Sequence, residues 1–256
     1  MNKKMMLSVL GIVAVSSSLA FADTTPGSGV LNSIHDMNHY AGVTADTQGR
    51  VCAFCHTPHH ALTSTAAGDY LPLWSHTLTT NNYLPYASAT IDATITAGVM
   101  MEGPSKLCMS CHDGGIAVDT HYATTGTVVL TDKDSWGQAG IAQTSSLSND
   151  HPIGFIFDAA DGGVAAGPTT GDPSSVSQSQ AGQDKWIRNK EATYLGNTAL
   201  QIKDRLYTGS LGKPIMTCAT CHDVHNKKNV DAANATNYLL LSPNLDSQLC
   251  LTCHIK

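Results

Sequence analysis

Cys52-Ala53-Phe54-Cys55-His56 is one of four copies of a single pattern, C-x-x-C-H. The others are Cys108-Met109-Ser110-Cys111-His112, Cys218-Ala219-Thr220-Cys221-His222 and Cys250-Leu251-Thr252-Cys253-His254. Together they use all eight cysteines of the 256-residue chain. Two thiols one helical turn apart can add across the two vinyl groups of one porphyrin, and the adjoining histidine then faces the iron from the same side. The pattern therefore predicts four covalently bound c-type haems. Cys52, Cys55, Cys108, Cys111, Cys218, Cys221, Cys250 and Cys253 are the attachment points, and His56, His112, His222 and His254 are the proximal iron ligands.

Eight cysteines also suit a disulfide framework, and paired C-x-x-C hooks suit zinc. Neither requires a histidine directly after every second cysteine. With 12 histidines in the chain, four such coincidences have a chance of about one in two hundred thousand. A thioredoxin-like motif would occur once, within a βαβ pattern, and not four times.

The N-terminus has the pattern of a secretory signal. Asn2-Lys3-Lys4 is a short basic start, Met5 to Val15 is apolar but too short to cross a bilayer, and Ala20-Phe21-Ala22 is an A-x-A cleavage site. Residues 1–22 are expected to be removed. No cysteine follows the cleavage site to carry a lipid, and no later stretch is long and apolar enough for a membrane span. The expectation is an exported chain with no integral membrane segment. The net charge of −6 becomes −8 on loss of Lys3 and Lys4, which argues against a duplex nucleic-acid partner. Charged residues are only 13%, while small residues abound, which fits a compact chain and not a disordered one.

Residues 23–256 are expected to form a single tetrahaem domain. Haems I and II fall in 23–120, a long insert covers 121–210, and haems III and IV fall in 211–256. The uneven spacing rules out a regular structural repeat. The expected fold is mostly irregular coil with short α-helices and a few short strands, wrapped around a row of haems. Each C-x-x-C-H should form a short helical turn. Thr127–Leu130 and Ile153–Phe157 predict short strands. The spacing of Leu200, Lys203 and Tyr207 predicts a modest helix over 197–207. Residues 162–185 read as a surface loop, as does the Thr/Ser-rich stretch 61–97. Aromatics are 6%, so the macrocycles should supply much of the apolar core.

Eight further histidines are available for the four distal positions: His35, His39, His59, His60, His76, His121, His151 and His225. The supply suffices for bis-histidine iron throughout; methionine is the other common distal ligand. His59 and His225 each follow a proximal histidine by three residues. They share its face and cannot reach round the porphyrin to the same iron, so either one, as a ligand, must serve a different haem. His35 and His39, spaced i,i+4, could share a helical face. His151 is stiffened by Pro152. His60, His76 and His121 read as surface or haem-edge residues. Asp158 and Asp161 beside Gly162-Gly163 suit a polar turn better than a calcium site.

Several motifs occur in order along nearly the whole mature chain: Ser33-Ile34-His35-Asp36-Met37, Cys52 to His59 with its T-P-H element, Pro72-Leu73-Trp74, Leu107 to Gly114, Asp150-His151-Pro152-Ile153-Gly154-Phe155, Cys218 to His225, and Leu249 to His254. In these the chain resembles the OmcE-type tetrahaem cytochromes, which polymerise into extracellular nanowires in metal-reducing bacteria. The resemblance implies a continuous haem stack, bis-histidine iron, and one distal histidine donated across a subunit boundary. It implies His59 as that donor, to the last haem of a neighbouring copy, with His35, His151 and His225 serving haems within the chain. Partners would be copies of the same chain, other redox cytochromes and extracellular electron acceptors, at a cell-surface filament. The layout fits a head-to-tail contact, which is heterologous and propagates. A diffusible periplasmic tetrahaem shuttle is the alternative. A multihaem reductase is a third, but it needs an open iron position, and the C-x-x-C-K variant common at such sites is absent.

Overall fold

The computed structural model describes residues 29–31, 33, 35–88, 91, 93–122, 125–130, 141, 146–158, 161, 187–225 and 239–255. The leader 1–22 and the 162–185 loop lie outside them. Most of the described chain is coil. It is punctuated by helices α1 (Ala97–Met100), α2 (Pro104–His112) and α3 (Gln248–Cys253), and by four short strands.

Helix α2 starts sharply. Gly103 takes φ +57° at its N-cap and Pro104 follows at the first helical position, where a missing N–H costs nothing. A Cβ at Gly103 would sit 2.5 Å from Tyr207 Cδ1, so the bend also permits close packing against the distant 207 segment. Strands β1 (Thr193–Tyr194) and β2 (Asn197–Gln201) form an antiparallel hairpin. Leu195-Gly196 makes its turn, and Gly196 has φ +77°. Strands β3 (Tyr207–Thr208) and β4 (Pro214–Ile215) form a second hairpin.

The helix expected over 197–207 is thus replaced by β2, a 3-10 turn at Ile202–Arg205, and β3. Gly196 closes the hairpin, and the Ile202 N–H bonds the Ala192 carbonyl at 2.9 Å; these tertiary bonds override a weak helical period. Residues 127–130 form no strand, although Val118 N–H bonds Val128 O at 2.8 Å. The segment expected as a strand over 153–157 has one bridge, Ile156 to Ile215. Its backbone nevertheless exchanges bonds with Met216 and Pro214, so it lies along β4.

Three small apolar clusters replace a single large core. Met37, Phe54, Val118 and Leu130 pack with Cys55 and Cys111 beside them. Phe155, Phe157, Tyr194, Ile202, Met216 and Leu241 pack with Cys221 and Cys253 beside them. Tyr83, Met100, Met109 and Leu147 form the third, which includes a residue of the second C-x-x-C-H. Each cluster is therefore built against motif residues, so the motifs organise the packing. Among the described residues no helix is long and apolar enough to cross a membrane.

Candidate functional site

All four motifs adopt the same local turn, for the same reason. The histidine N–H bonds back to the carbonyl of the first cysteine: His56 to Cys52 at 2.8 Å, His222 to Cys218 at 3.1 Å, and His254 to Cys250 at 2.8 Å. In the second motif, Cys108 to His112 is the end of α2. One turn brings both thiols to one side and projects the imidazole from the same wall. Three of these turns are then pinned by single antiparallel bridges, His56 to Trp74, His222 to Leu240 and His254 to Ile187.

All eight cysteines are free thiols, so the disulfide framework is not formed. Burial pushes the Cys55 thiol up to about 11, and the Cys221 and Cys253 thiols up to about 12. Successive motifs touch in sequence order. Cys55 adds to the upward push on Cys111, and Cys221 to that on Cys253. Cys108 is hydrogen-bonded to Cys218, a bond that with burial pushes Cys108 up. The link between these two motifs is reinforced where Cys218 N–H donates to Ser105 Oγ at 3.2 Å. The motifs are thus linked I to II, II to III and III to IV, and His225 beside the third also meets His56 of the first. Among the described residues no group of three or more His, Cys, Asp or Glu side chains converges as a metal site.

The histidines pair selectively. His35 faces His112 with ring centroids 6.0 Å apart, His56 faces His225 at 6.1 Å, and His151 faces His254 at 6.3 Å. Each pair joins one C-x-x-C-H histidine to one histidine from elsewhere. An iron held between two imidazoles by metal–nitrogen bonds of about 2 Å puts the ring centroids about 6 Å apart. Both rings contain the N–metal–N axis, so the interplanar angle is free while the separation is fixed; the three pairs have angles of 54°, 27° and 68°. The residues present therefore fit bis-histidine haem.

The ring nitrogens agree. His56 Nδ1 lies 2.6 Å from the Pro72 carbonyl, and His151 Nδ1 lies 3.0 Å from that of Pro152. A carbonyl only accepts, so Nδ1 carries the proton and Nε2 keeps a lone pair for a metal. Burial, then the nearby His112, lowers the His35 pKa to about 3, which keeps it a neutral, ligand-competent imidazole. His35 Nδ1 and Trp74 Nε1 are buried without a hydrogen-bond partner. Both sit beside motif histidines, Trp74 meeting the His56 ring edge-on at 5.8 Å.

The other histidines separate clearly. His59 and His60 are exposed. His39 does not share a helical face with His35: Met37–His39 is a 3-10 turn that excludes His35, and His39 Nδ1 pairs with Asp36 at 3.0 Å. His76 is not a surface residue but 1% exposed, with Nε2 3.0 Å from Ala117 O and 3.5 Å from Cys111 Sγ. His121 packs on Phe54 at 4.3 Å and bonds the Asp119 carbonyl through Nδ1. At the calcium alternative, Asp161 instead pairs with the Lys190 ammonium, and Asp158 accepts the Lys190 N–H at 3.0 Å.

Sequence reasoning quoted Pro72, Trp74 and Asp223 within motifs but gave them no role. Pro72 and Trp74 act through a backbone carbonyl and a bridge, which side-chain chemistry does not advertise. Asp223 follows His222 directly and could have been read as a neighbour of His225. No protein-family model matches this chain, and a search of curated proteins finds no match.

Proposed function

We propose that this chain is an exported tetrahaem c-type cytochrome that carries electrons and performs no substrate turnover. The observation that carries the reading is the selective pairing of His35 with His112, His56 with His225, and His151 with His254 at 6.0–6.3 Å. When bound, haem iron supplies a one-electron couple whose potential follows its axial ligands and surroundings. The protein's part is to hold and tune. The eight thiols would attach the macrocycles, and the three imidazole pairs would close both faces of three irons. The Pro72 and Pro152 carbonyls fix the ligating tautomers. The apolar clusters around Cys55, Cys111, Cys221 and Cys253 keep water away.

His225 serves the first motif and not its own, because its side chain shares the His222 face. The exposed His59 is the proposed donor to a haem of an adjacent copy in a head-to-tail filament. With His254 facing His151 inside the chain, the last haem is not the receiving one. The filament would deliver electrons to other redox cytochromes and extracellular acceptors.

Intact mass and the pyridine haemochrome spectrum of the secreted protein should give four haems per chain, with low-spin bis-imidazole signals in electron paramagnetic resonance. Fewer than four haems, or a dominant high-spin signal, would overturn the reading. His59→Ala should keep four haems but abolish filaments in negative-stain images. Wild-type protein that elutes only as a monomer would instead favour the periplasmic shuttle.

A further inference from the structure

We propose that Asp223 sets the potential of the iron between His56 and His225 below that of the iron between His35 and His112, giving the first step of the row a built-in direction. The inference rests on the ligation reading above and concerns what the distal imidazoles meet on their far side.

The far sides differ. Asp223 is held by two separate contacts. Its Oδ2 accepts from Arg205 Nη2 at 2.7 Å, and its Oδ1 accepts the His225 backbone N–H at 2.9 Å. That same Oδ1 lies 3.6 Å from His225 Nδ1, so a carboxylate stands directly behind the ring. Across the same iron, His56 Nδ1 bonds the Pro72 carbonyl at 2.6 Å. One imidazole of this centre therefore donates to a carbonyl, and the other has a carboxylate oxygen 3.6 Å from its Nδ1. His35 is the opposite case. Among the described residues its buried Nδ1 has no hydrogen-bond partner.

An acceptor behind Nδ1 pulls the ring proton outward and makes the ligating nitrogen more electron-rich. Such a ligand stabilises ferric over ferrous iron and lowers the potential. A ring with no acceptor is the poorer donor and leaves the potential higher. Cys55 and Cys111 pack on one cluster, so the two centres are neighbours and the difference acts between adjacent sites. Arg205 moderates the effect by drawing the carboxylate's charge towards Oδ2.

The test is a potentiometric titration of the full-length holoprotein, followed by visible absorption and electron paramagnetic resonance. Asp223→Asn should raise one of the four midpoint potentials, with the change in resonance signal confined to the same centre; Asp223→Glu should largely restore it. Arg205→Gln should move that same potential down, a sign that a general loss of packing would not produce. In a His225→Met background, Asp223→Asn should no longer shift this centre. Four unmoved potentials in Asp223→Asn would overturn the proposal. So would an equal rise at two centres, which marks a field effect on the neighbouring His222 site. If His225→Met leaves all four bis-imidazole signals intact, the ligation reading itself has failed, which separates the two.

Discussion

Cys108 and Cys218, at the centre of the row, are hydrogen-bonded to each other, whereas Cys52 and Cys250, at its two ends, are exposed. The centre is held by protein contacts. Helix α2 carries the second motif, Ser105 ties it to the third, and Asp113 just beyond His112 is 3% exposed. The Asp113 carboxylate accepts from Thr79 Oγ1 at 2.6 Å, Tyr83 OH at 2.9 Å, Asn81 Nδ2 at 3.0 Å and the Gly115 N–H at 2.7 Å. The ends are tied as well, but expose more surface: Ser75 N–H donates to Cys55 O at 2.9 Å, and Arg188 N–H donates to Cys253 O at 2.6 Å. The first motif is a 3-10 turn pinned by one bridge to Trp74, and it is followed by exposed His59 and His60 and by Leu73 at 56% exposure. The difference is one of exposure: the central thiols meet each other, while the terminal motifs reach the surface.

The sharpest way to break this comparison is to remove a motif. Cys108→Ser with Cys111→Ser should prevent accumulation of a protease-resistant protein. Cys250→Ser with Cys253→Ser should leave a folded chain with three haems, read by haem-stained gels and intact mass. Similar survival of the two variants would show that the centre has no special role.

Next in size is Asp113→Ala, which strands several buried donors. It should cost about 3 kcal/mol and lower Tm by roughly 10 °C in a chain of this length. Asp161→Ala removes only a partly exposed pair with Lys190 and should cost less than about 1 kcal/mol. Thermal melts followed by circular dichroism compare the two.

Acid should act first at the centre. Without haem, His35 binds no proton in the fold until about pH 3, while the unfolded chain takes one near 6.5; under the ligation reading, iron would hold the same imidazole unprotonated. Below about pH 6.5 the unfolded state binds more protons, so stability falls as pH falls. Asp113 and Asp223 carboxyls are held below their ordinary range, Asp113 by Thr79 and the Gly115 N–H against its burial, Asp223 by His225. Their stabilisation is present above about pH 4 and is lost as pH drops through the folded values. Tm should decline gently below pH 6.5 and steeply below 4, and Asp113→Asn should flatten the steep part. The smallest effect belongs to Arg50→Ala at the exposed Asp46 pair, for which no measurable change in Tm is expected.

The motifs were legible because C-x-x-C-H is local and its turn needs only five residues. The spacing of three predicts that His225 does not share an iron with His222; in the structure His222 bridges to Leu240 and His225 stacks on His56 at 6.1 Å. The partner was not legible: that His225 meets His56 depends on how the row folds back, which no local period encodes. The segment 197–207 misled because the hairpin turn at Gly196 and the Ile202 to Ala192 bond outweigh a modest apolar spacing. His76 resembled a surface residue because nothing near it in sequence announces the Ala117 carbonyl that holds it inside.

The contact between His56 and His225 has a consequence for biogenesis. Under the proposed reading of an exported bis-histidine haem protein, the chain crosses the membrane from its N-terminus, so the first motif emerges early and the histidine proposed as its sixth ligand emerges much later. His112 can close onto His35 as soon as α2 is out, because that residue has already passed. The leading centre must wait, one face bare, while most of the polypeptide follows. Its closure requires ends distant along the chain to meet, so it is a late and slow event in maturation. A chain halted before residue 225 would show itself by an iron able to bind carbon monoxide.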